Sequence, residues 1–393
     1  MLSSFKRGVI TLINNALKGE QTPLPEDFDY SNLYNFAVKQ QIIPLLYYGA
    51  RYDSRFLSSA GADKLKYAAL YSAAVSDHQL CEVEKICAEF DKNGVDYMKL
   101  KGTVLKKLYP RSDMRMMGDA DILIREEQRD LIGKIMREFG YAFKVDGEYE
   151  WVWKKGAVKI ELHKKIVSSN SRDFYAYFDN GWKLARKKDD LSCEYAMSVE
   201  DEFVYLVTHF ARHYRYAGIG IRHATDIYVF MEKYCDLDMN YVNKSLKTLG
   251  IYDFFVNVCR MLDVWFGDAE CDEISEFLTD KIFRNGAYGS QQNGKKSQAL
   301  ILSKGTNIAG AKRKKLINLI FPSYRTMCYT YTWLQGKPLL LPIVWIYRVI
   351  NVLLFKRDRI KLHRNDVKNI NKDIIDSYQA ELNFVGLDFN FEV

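Results

Sequence analysis

From the N-terminus to about Phe90, apolar residues recur at three- and four-residue spacing, as at Leu80, Val83, Cys87 and Phe90. That spacing predicts helices that each bury one stripe. The period breaks on turn chemistry at Asp91-Lys92-Asn93-Gly94, and Val95 to Leu100 predicts a strand ending at Lys101-Gly102. A short helix is predicted from Thr103 until Pro110 stops it, then a polar loop leads to Gly118 and a strand beginning at Asp119. Glu126 to Phe139 predicts a helix with two acids in its first turn, an apolar stripe of Leu131, Ile132, Ile135 and Met136, and Gly140 as its cap. Three short strands follow, punctuated by the hairpin dipeptides Asp146-Gly147 and Lys155-Gly156. In the third, Val158, Ile160 and Leu162 alternate with Lys159, Glu161 and His163. The expected order from Val95 to His163 is therefore β-α-β-α-β-β-β.

After about Ser168 the helical period returns. Ser198 with Asp201 resembles a capping box, followed by a stripe of Phe203, Leu206, Val207, Phe210 and Ala211. Asn285 to Lys296, rich in Gly, Asn, Gln and Ser, is expected to be a mobile loop or linker. The chain thus divides into an N-terminal helical region (1-92), an α+β core (93-167) and a C-terminal helical region (168-393). The most apolar segment is Pro338 to Phe355. From Pro342 onward a helix there is roughly 21 Å long, short of the roughly 30 Å hydrocarbon core, and it contains Arg348 and Asn351. A transmembrane helix is therefore not expected. Two readings stay open: a buried core helix, or an interfacial helix making peripheral membrane contact through 338-355.

The length of 393 residues suits two or three domains, and a hydrophobic share of 48% is that of a globular chain. A net charge of +7 is modest for this length and does not by itself mark a nucleic-acid binder. Its placement changes the picture more: Lys312-Arg313-Lys314-Lys315 and Lys356-Arg357-Asp358-Arg359 flank the apolar segment. Seven scattered cysteines without a C-x-x-C pair indicate neither a disulfide framework nor a zinc site. Met1 to Arg7 leads into an amphipathic stretch rather than a long apolar one, so a cytoplasmic protein is expected.

The candidate chemistry sits in Gly118-Asp119-Ala120-Asp121-Ile122. Alternation along a strand points Asp119 and Asp121 the same way, with Ala120 and Ile122 toward the core. Two carboxylates held together are costly alone and favourable around a divalent cation, which phosphoryl and nucleotidyl transfer require. Upstream, Lys101-Gly102-Thr103 opens a short helix whose free N–H groups can cradle a triphosphate. Downstream, Glu161 offers a third carboxylate. Together these are the parts of a nucleotidyltransferase. Arg111 and Arg115 lie in the connecting loop, where Arg115 either touches phosphate or makes a surface salt bridge to Asp113 or a helix. His209 and His213 have metal-ligand spacing without a nearby acidic ligand, so packing or substrate contact is the better reading. Arg222 and Asp226 are expected to form an intrahelical ion pair. His163 is either a support behind the metal ligands or an ordinary strand-end histidine.

The block Leu100-Lys101-Gly102-Thr103, Leu105, Tyr109-Pro110, Arg115 and Gly118 to Ile124 resembles the signature of a large bacterial family of uncharacterised nucleotidyltransferases within the DNA polymerase beta-like superfamily. Gln41 to Tyr47, Glu161-Leu162-His163, His209 to His213, Arg222 to Ile227 and Phe321-Pro322-Ser323 resemble further parts of it. The chain departs from the superfamily pattern by Thr103 after the turn glycine and by Glu161 where Asp is usual. The resemblance implies a polymerase-beta-like core between helical regions. It implies that Asp119, Asp121 and Glu161 are catalytic and hold Mg2+ or Mn2+. It also implies that Lys101, Gly102, Thr103, Arg115 and Gly118 bind a nucleoside triphosphate, whose nucleoside monophosphate passes to an acceptor with release of pyrophosphate. The acceptor, whether small molecule, saccharide, protein or RNA, is not legible. The alternatives are a catalytically inactive nucleotide-binding module and a membrane-peripheral scaffold.

Overall fold

Alternating strands and amphipathic helices assemble here into a mixed α+β structure, a computed structural model that describes residues 2-169, 171-334, 336-355, 367 and 370-388. The N-terminal layer comprises α1 (Ser4–Lys18), α2 (Leu33–Gln40), α3 (Ile43–Ala50), α4 (Ser54–Leu57) and the long α5 (Ala62–Lys92). Then come β1 (Tyr97–Leu100), α6 (Gly102–Leu105), β2 (Ala120–Ile124), α7 (Arg129–Glu138), β3 (Ala142–Asp146), β4 (Glu150–Lys155) and β5 (Val158–His163). This is the element order that the period changes predict. The helix expected from Thr103 is shorter: α6 gives way to a 3-10 turn at Lys106–Leu108. That turn buries Lys106, whose ammonium donates to the Ser76 hydroxyl and to the Arg115 carbonyl.

The sheet has seven strands in the order β3-β4-β5-β2-β1-β7-β6. Its last two strands, β6 (Arg186–Lys187) and β7 (Glu194–Ala196), follow α8 (Arg172–Phe178) and fall where only helix was expected. Two or three residues are too few to show a period. β7 is set by its parallel pairing with β1. β2 pairs antiparallel with β1 and parallel with β5. One face of the sheet carries Ala120, Ile122, Ile124, Ile160 and Leu162 against the end of α5 (Val83, Ile86, Phe90) and against α7 (Ile132, Ile135, Met136). Full burial of each such aliphatic stabilises by about 1.5–3 kcal/mol.

The other face contributes Met98, Leu100 and Leu123 to a larger core shared with the N-terminal helices and with α9 (Val199–Tyr216), α10 (Ile221–Lys233), α11 (Met239–Thr248), α12 (Tyr252–Phe266) and α13 (Glu273–Arg284). α9 starts on the Ser198 cap, whose hydroxyl accepts from the Asp201 N–H. The N-terminal layer is tied in by the fully buried Gln40. Its amide donates to the carbonyls of Ile282, Phe283 and Asn285, and its oxygen accepts from the Ile221 N–H.

The expected mobile segment is ordered: a turn at Gly286–Gly289 precedes α14 (Gln291–Ser303), capped by Ser290. Beyond it lie α15 (Ile308–Ile320), α16 (Tyr324–Thr330), α17 (Leu341–Phe355) and α18 (Lys372–Phe384). The core-helix reading of 338-355 is overturned. Ile343, Ile346, Tyr347, Ile350, Leu353 and Leu354 form one stripe that is half or more exposed, and among the described side chains of the segment only Val344 is buried. α17 is held by Val344, which packs with Met327, Cys328 and Leu334, and by two hydrogen bonds, from Trp345 to the Pro322 carbonyl and from Arg348 to that of Leu319. The basic stretch Lys356 to Arg359 lies outside the described residues. Among the described residues no helix is long and apolar enough to cross a membrane.

Candidate functional site

The parallel register of β2 and β5 sets Asp121 beside Glu161, and the next residue on that face of β5 is His163. The Asp121 carboxylate lies 2.6 Å from His163 Nε2, and Glu161 lies 3.7 Å from the same nitrogen. One ligand atom from each of the three falls within 4.8 Å of the others, a spacing that could hold a metal ion. Carboxylate oxygens with one imidazole suit a hard or borderline divalent cation. Among the described residues this is the one group of three or more such ligands. His163 therefore belongs with the acids, and its place beside Glu161 in the alternation was the signal for it. Asp119 lies outside this group, because β2 begins one residue later. Its carboxylate pairs with Lys159 at 3.2 Å, and Lys159 also donates to Glu161.

The inner charges are shielded from water while Asp119 and Lys159 stay about a third exposed. Asp121 is nearly buried beneath α9 and α10, with Lys101 Nζ 3.0 Å from its Oδ1. Burial penalises its charge, but Lys101 and His163 outweigh that penalty and hold its carboxyl well below the usual range. Glu161 moves the other way: burial, and then the charge of Asp119, raise its pKa despite Lys159. Adjacent carboxylates are thus pushed apart in proton affinity, an arrangement that favours one metal-holding and one proton-accepting group.

Lys101 sits at φ +45°, a backbone region that L residues rarely adopt, at the corner between β1 and α6. Gly102 follows in a tight place: a Cβ there would come 2.9 Å from an Arg115 nitrogen and 3.1 Å from Met117, so a larger residue would push both side chains aside. Thr103 turns its hydroxyl inward to the Leu100 carbonyl at 2.7 Å and so does not present it to the cleft. Arg115 grips Asp226 of α10 with two bonds, 2.7 and 2.9 Å, and Tyr109 adds a third at 2.8 Å. The intrahelical Arg222–Asp226 pair is therefore not formed. The fork of Arg115 satisfies both Asp226 oxygens at once, and Arg222 donates instead to Gln41 and to the Met116 carbonyl.

These residues line a cleft of about 960 Å³, counting space open to solvent. The sheet supplies Lys101, Asp119, Asp121, Glu161 and His163, and the helices supply Tyr205, His209, Arg212, His213, Arg222 and His223. His209 and His213 touch, with ring centres 4.3 Å apart. Burial, followed by Arg212 and Lys101, pushes His213 down to about 3, so its imidazole is neutral at physiological pH. His223 is likewise pushed well down by burial and then by Arg222. Tyr149 and Tyr288 also line the cleft and carried no motif in the sequence, and Arg212 was part of the His209 to His213 resemblance without a role of its own.

A family model described as "Uncharacterised nucleotidyltransferase" matches residues 26-267. Neither a curated protein nor a solved structure gave a match. The matched stretch runs from the N-terminal helices to the end of α12 and contains every residue lining the cleft except Tyr288.

Proposed function

The chain belongs to this family of uncharacterised nucleotidyltransferases and is thus a transferase; from that premise we propose that the cleft transfers a nucleoside monophosphate from a nucleoside triphosphate to an acceptor, releasing pyrophosphate, on a polymerase-beta-like core. The observation that carries the proposal is the Asp121, Glu161 and His163 group on adjacent strands, facing a cleft whose walls also present Lys101, Arg212 and Arg222. Asp121, Glu161 and His163 would hold Mg2+ or Mn2+, with Asp119 beside them. A divalent cation bound there supplies neutralisation of the triphosphate and alignment of its α-phosphorus. Lys101, whose ammonium lies beside Asp121 in the cleft, would be placed to take a phosphate oxygen. Gly102 and Gly118 let phosphate approach the backbone, while Arg115, clamped by Asp226, keeps one guanidinium nitrogen toward Gly102. Glu161, at the edge of that group, would either help hold the cation or accept the proton of the attacking hydroxyl.

Triphosphate binding is expected to require the cation, because the carboxylates otherwise repel the phosphates. In calorimetry, chelation of Mg2+ or Mn2+ should weaken nucleotide affinity by at least about tenfold, a modest share of the Coulomb term for such charges. Equal affinity in chelator rules out a metal bridge. A screen of labelled nucleotides against cell extract then identifies the acceptor. Metal-dependent binding with no turnover of any nucleotide would instead mark a catalytically silent binding module.

A second reading, peripheral contact with an anionic membrane, rests on the α17 stripe and on the neighbouring exposed Leu316, Ile317 and Ile320, which follow the basic run Lys312 to Lys315. Apolar stripe and cationic run together suit an anionic bilayer surface. Ile346, 62% exposed, gives the test. Ile346→Asp should change stability by no more than about 0.5 kcal/mol and should reduce flotation with anionic vesicles. A parent chain that floats with no vesicle sinks this reading.

A further inference from the structure

The cleft walls offer charge and imidazole to the phosphates of a nucleotide, and two of their three tyrosines are engaged: Tyr149 stacks on His163 and Tyr205 is buried. The third, at the mouth, differs. Tyr288 is 55% exposed although it lines the cleft, its hydroxyl packs on Gly118, and the Arg222 guanidinium lies 5.5 Å from its ring centre.

Its position is fixed by the backbone. Gly286 and Gly289 exchange hydrogen bonds of 3.3 and 2.9 Å across a two-residue tip, Ala287 N–H donates to the Lys39 carbonyl at 3.0 Å, and Ser290 N–H donates to the Ala217 carbonyl at 2.7 Å. Gly289 holds φ +79°, and a Cβ there would fall 2.2 Å from the Ala217 oxygen, so only glycine makes this turn. Of the two tip residues, Ala287 is buried and anchors the turn, while Tyr288 is left over the cleft. A rigid turn that presents one aromatic ring in water beside a triphosphate-sized site is a stacking platform in waiting. It also lies outside residues 26-267, in the chain's own C-terminal region.

We propose that the Tyr288 ring stacks on the nucleobase of the bound triphosphate. The inference rests on the nucleotidyltransferase reading and names where the base goes. Every base has a π face, so the platform adds affinity with little base selectivity. Its loss should cost about 5- to 150-fold in binding, the usual range for removing one base–aromatic stack.

The test compares the full chain with Tyr288→Leu and Tyr288→Phe, measuring ATP, GTP, CTP and UTP alongside inorganic tripolyphosphate, all with Mg2+. The leucine variant should weaken all four nucleotides within that range and leave tripolyphosphate affinity unchanged. The phenylalanine variant should bind like the parent. Equal weakening of tripolyphosphate, or a phenylalanine variant as weak as leucine, would replace the platform by a phosphate contact of the hydroxyl or a structural role. If the parent binds nucleotides no better than tripolyphosphate, the base has no platform and only this inference falls. If it binds neither with Mg2+ or Mn2+, the transfer reading falls and takes the platform with it.

Discussion

Asp121→Asn is expected to lower nucleotidyl transfer by on the order of 10³-fold or more and to destabilise the fold at the same time. The amide keeps the size of the side chain but removes the negative charge that would hold a divalent cation tightly, so much of the charge neutralisation of the transition state is lost. The structural cost arises from the same atom. Asp121 is the partner of Lys101 in a site where their side chains are only 7% and 18% exposed. Removing one member of a buried ion pair strands the other and costs about 3–5 kcal/mol. Activity and stability are separated by the double variant Lys101→Met with Asp121→Asn, which removes both charges. It should regain most of the denaturation midpoint and none of the transfer. Parent-level transfer by the single variant would take Asp121 out of the chemistry altogether.

Asp226→Ala should cost about 3–5 kcal/mol without any role for Asp226 in the reaction, for a related reason. Its side chain is 1% exposed and that of Arg115 is 6% exposed, and alanine would leave the guanidinium and the Tyr109 hydroxyl without their acceptor. This clamp joins the loop before β2 to α10 and so fixes the distance between the acidic strands and the helical wall of the cleft. Urea unfolding should show a lower midpoint with an unchanged slope. Replacing both partners by apolar residues, Arg115→Met with Asp226→Leu, should recover most of the loss. A single-variant loss below about 1 kcal/mol would place the pair among ordinary surface bridges.

The sheet was legible in the chain where local rules suffice. The change from a three-to-four-residue period to alternation at Asp91, and the glycine turns at 147 and 156, predict β1 to β5 in order. Alternation alone places Glu161 and His163 on one face. What escaped the sequence depends on partners far apart in the chain. Arg115 and Asp226 are separated by 111 positions, so the nearer Arg222 looked like the natural mate. Nothing local announces that α9 and α10 cover the polar face and bury Asp121. Nor does a pattern distinguish the exposed stripe of α17 from a core helix, since both show the same spacing. Tyr288 stood in a segment whose composition reads as a loop, and only the backbone bonds of that turn reveal it as fixed.

The buried Gln40 has a consequence in time as well as in space. Three of its four bonds go to carbonyls at Ile282, Phe283 and Asn285, and the bond to Phe283 spans 243 residues. At a synthesis rate of roughly 5–20 residues per second, about 12–50 s pass between the emergence of that glutamine from the ribosome and the emergence of its acceptor. For most of that interval the apolar stripe of α1, with Val9, Leu12 and Ile13, lacks the α12 and α13 residues that share its core in the finished fold. A nascent N-terminal layer therefore holds an uncovered apolar stripe for tens of seconds, the kind of surface that aggregates unless it is shielded during synthesis.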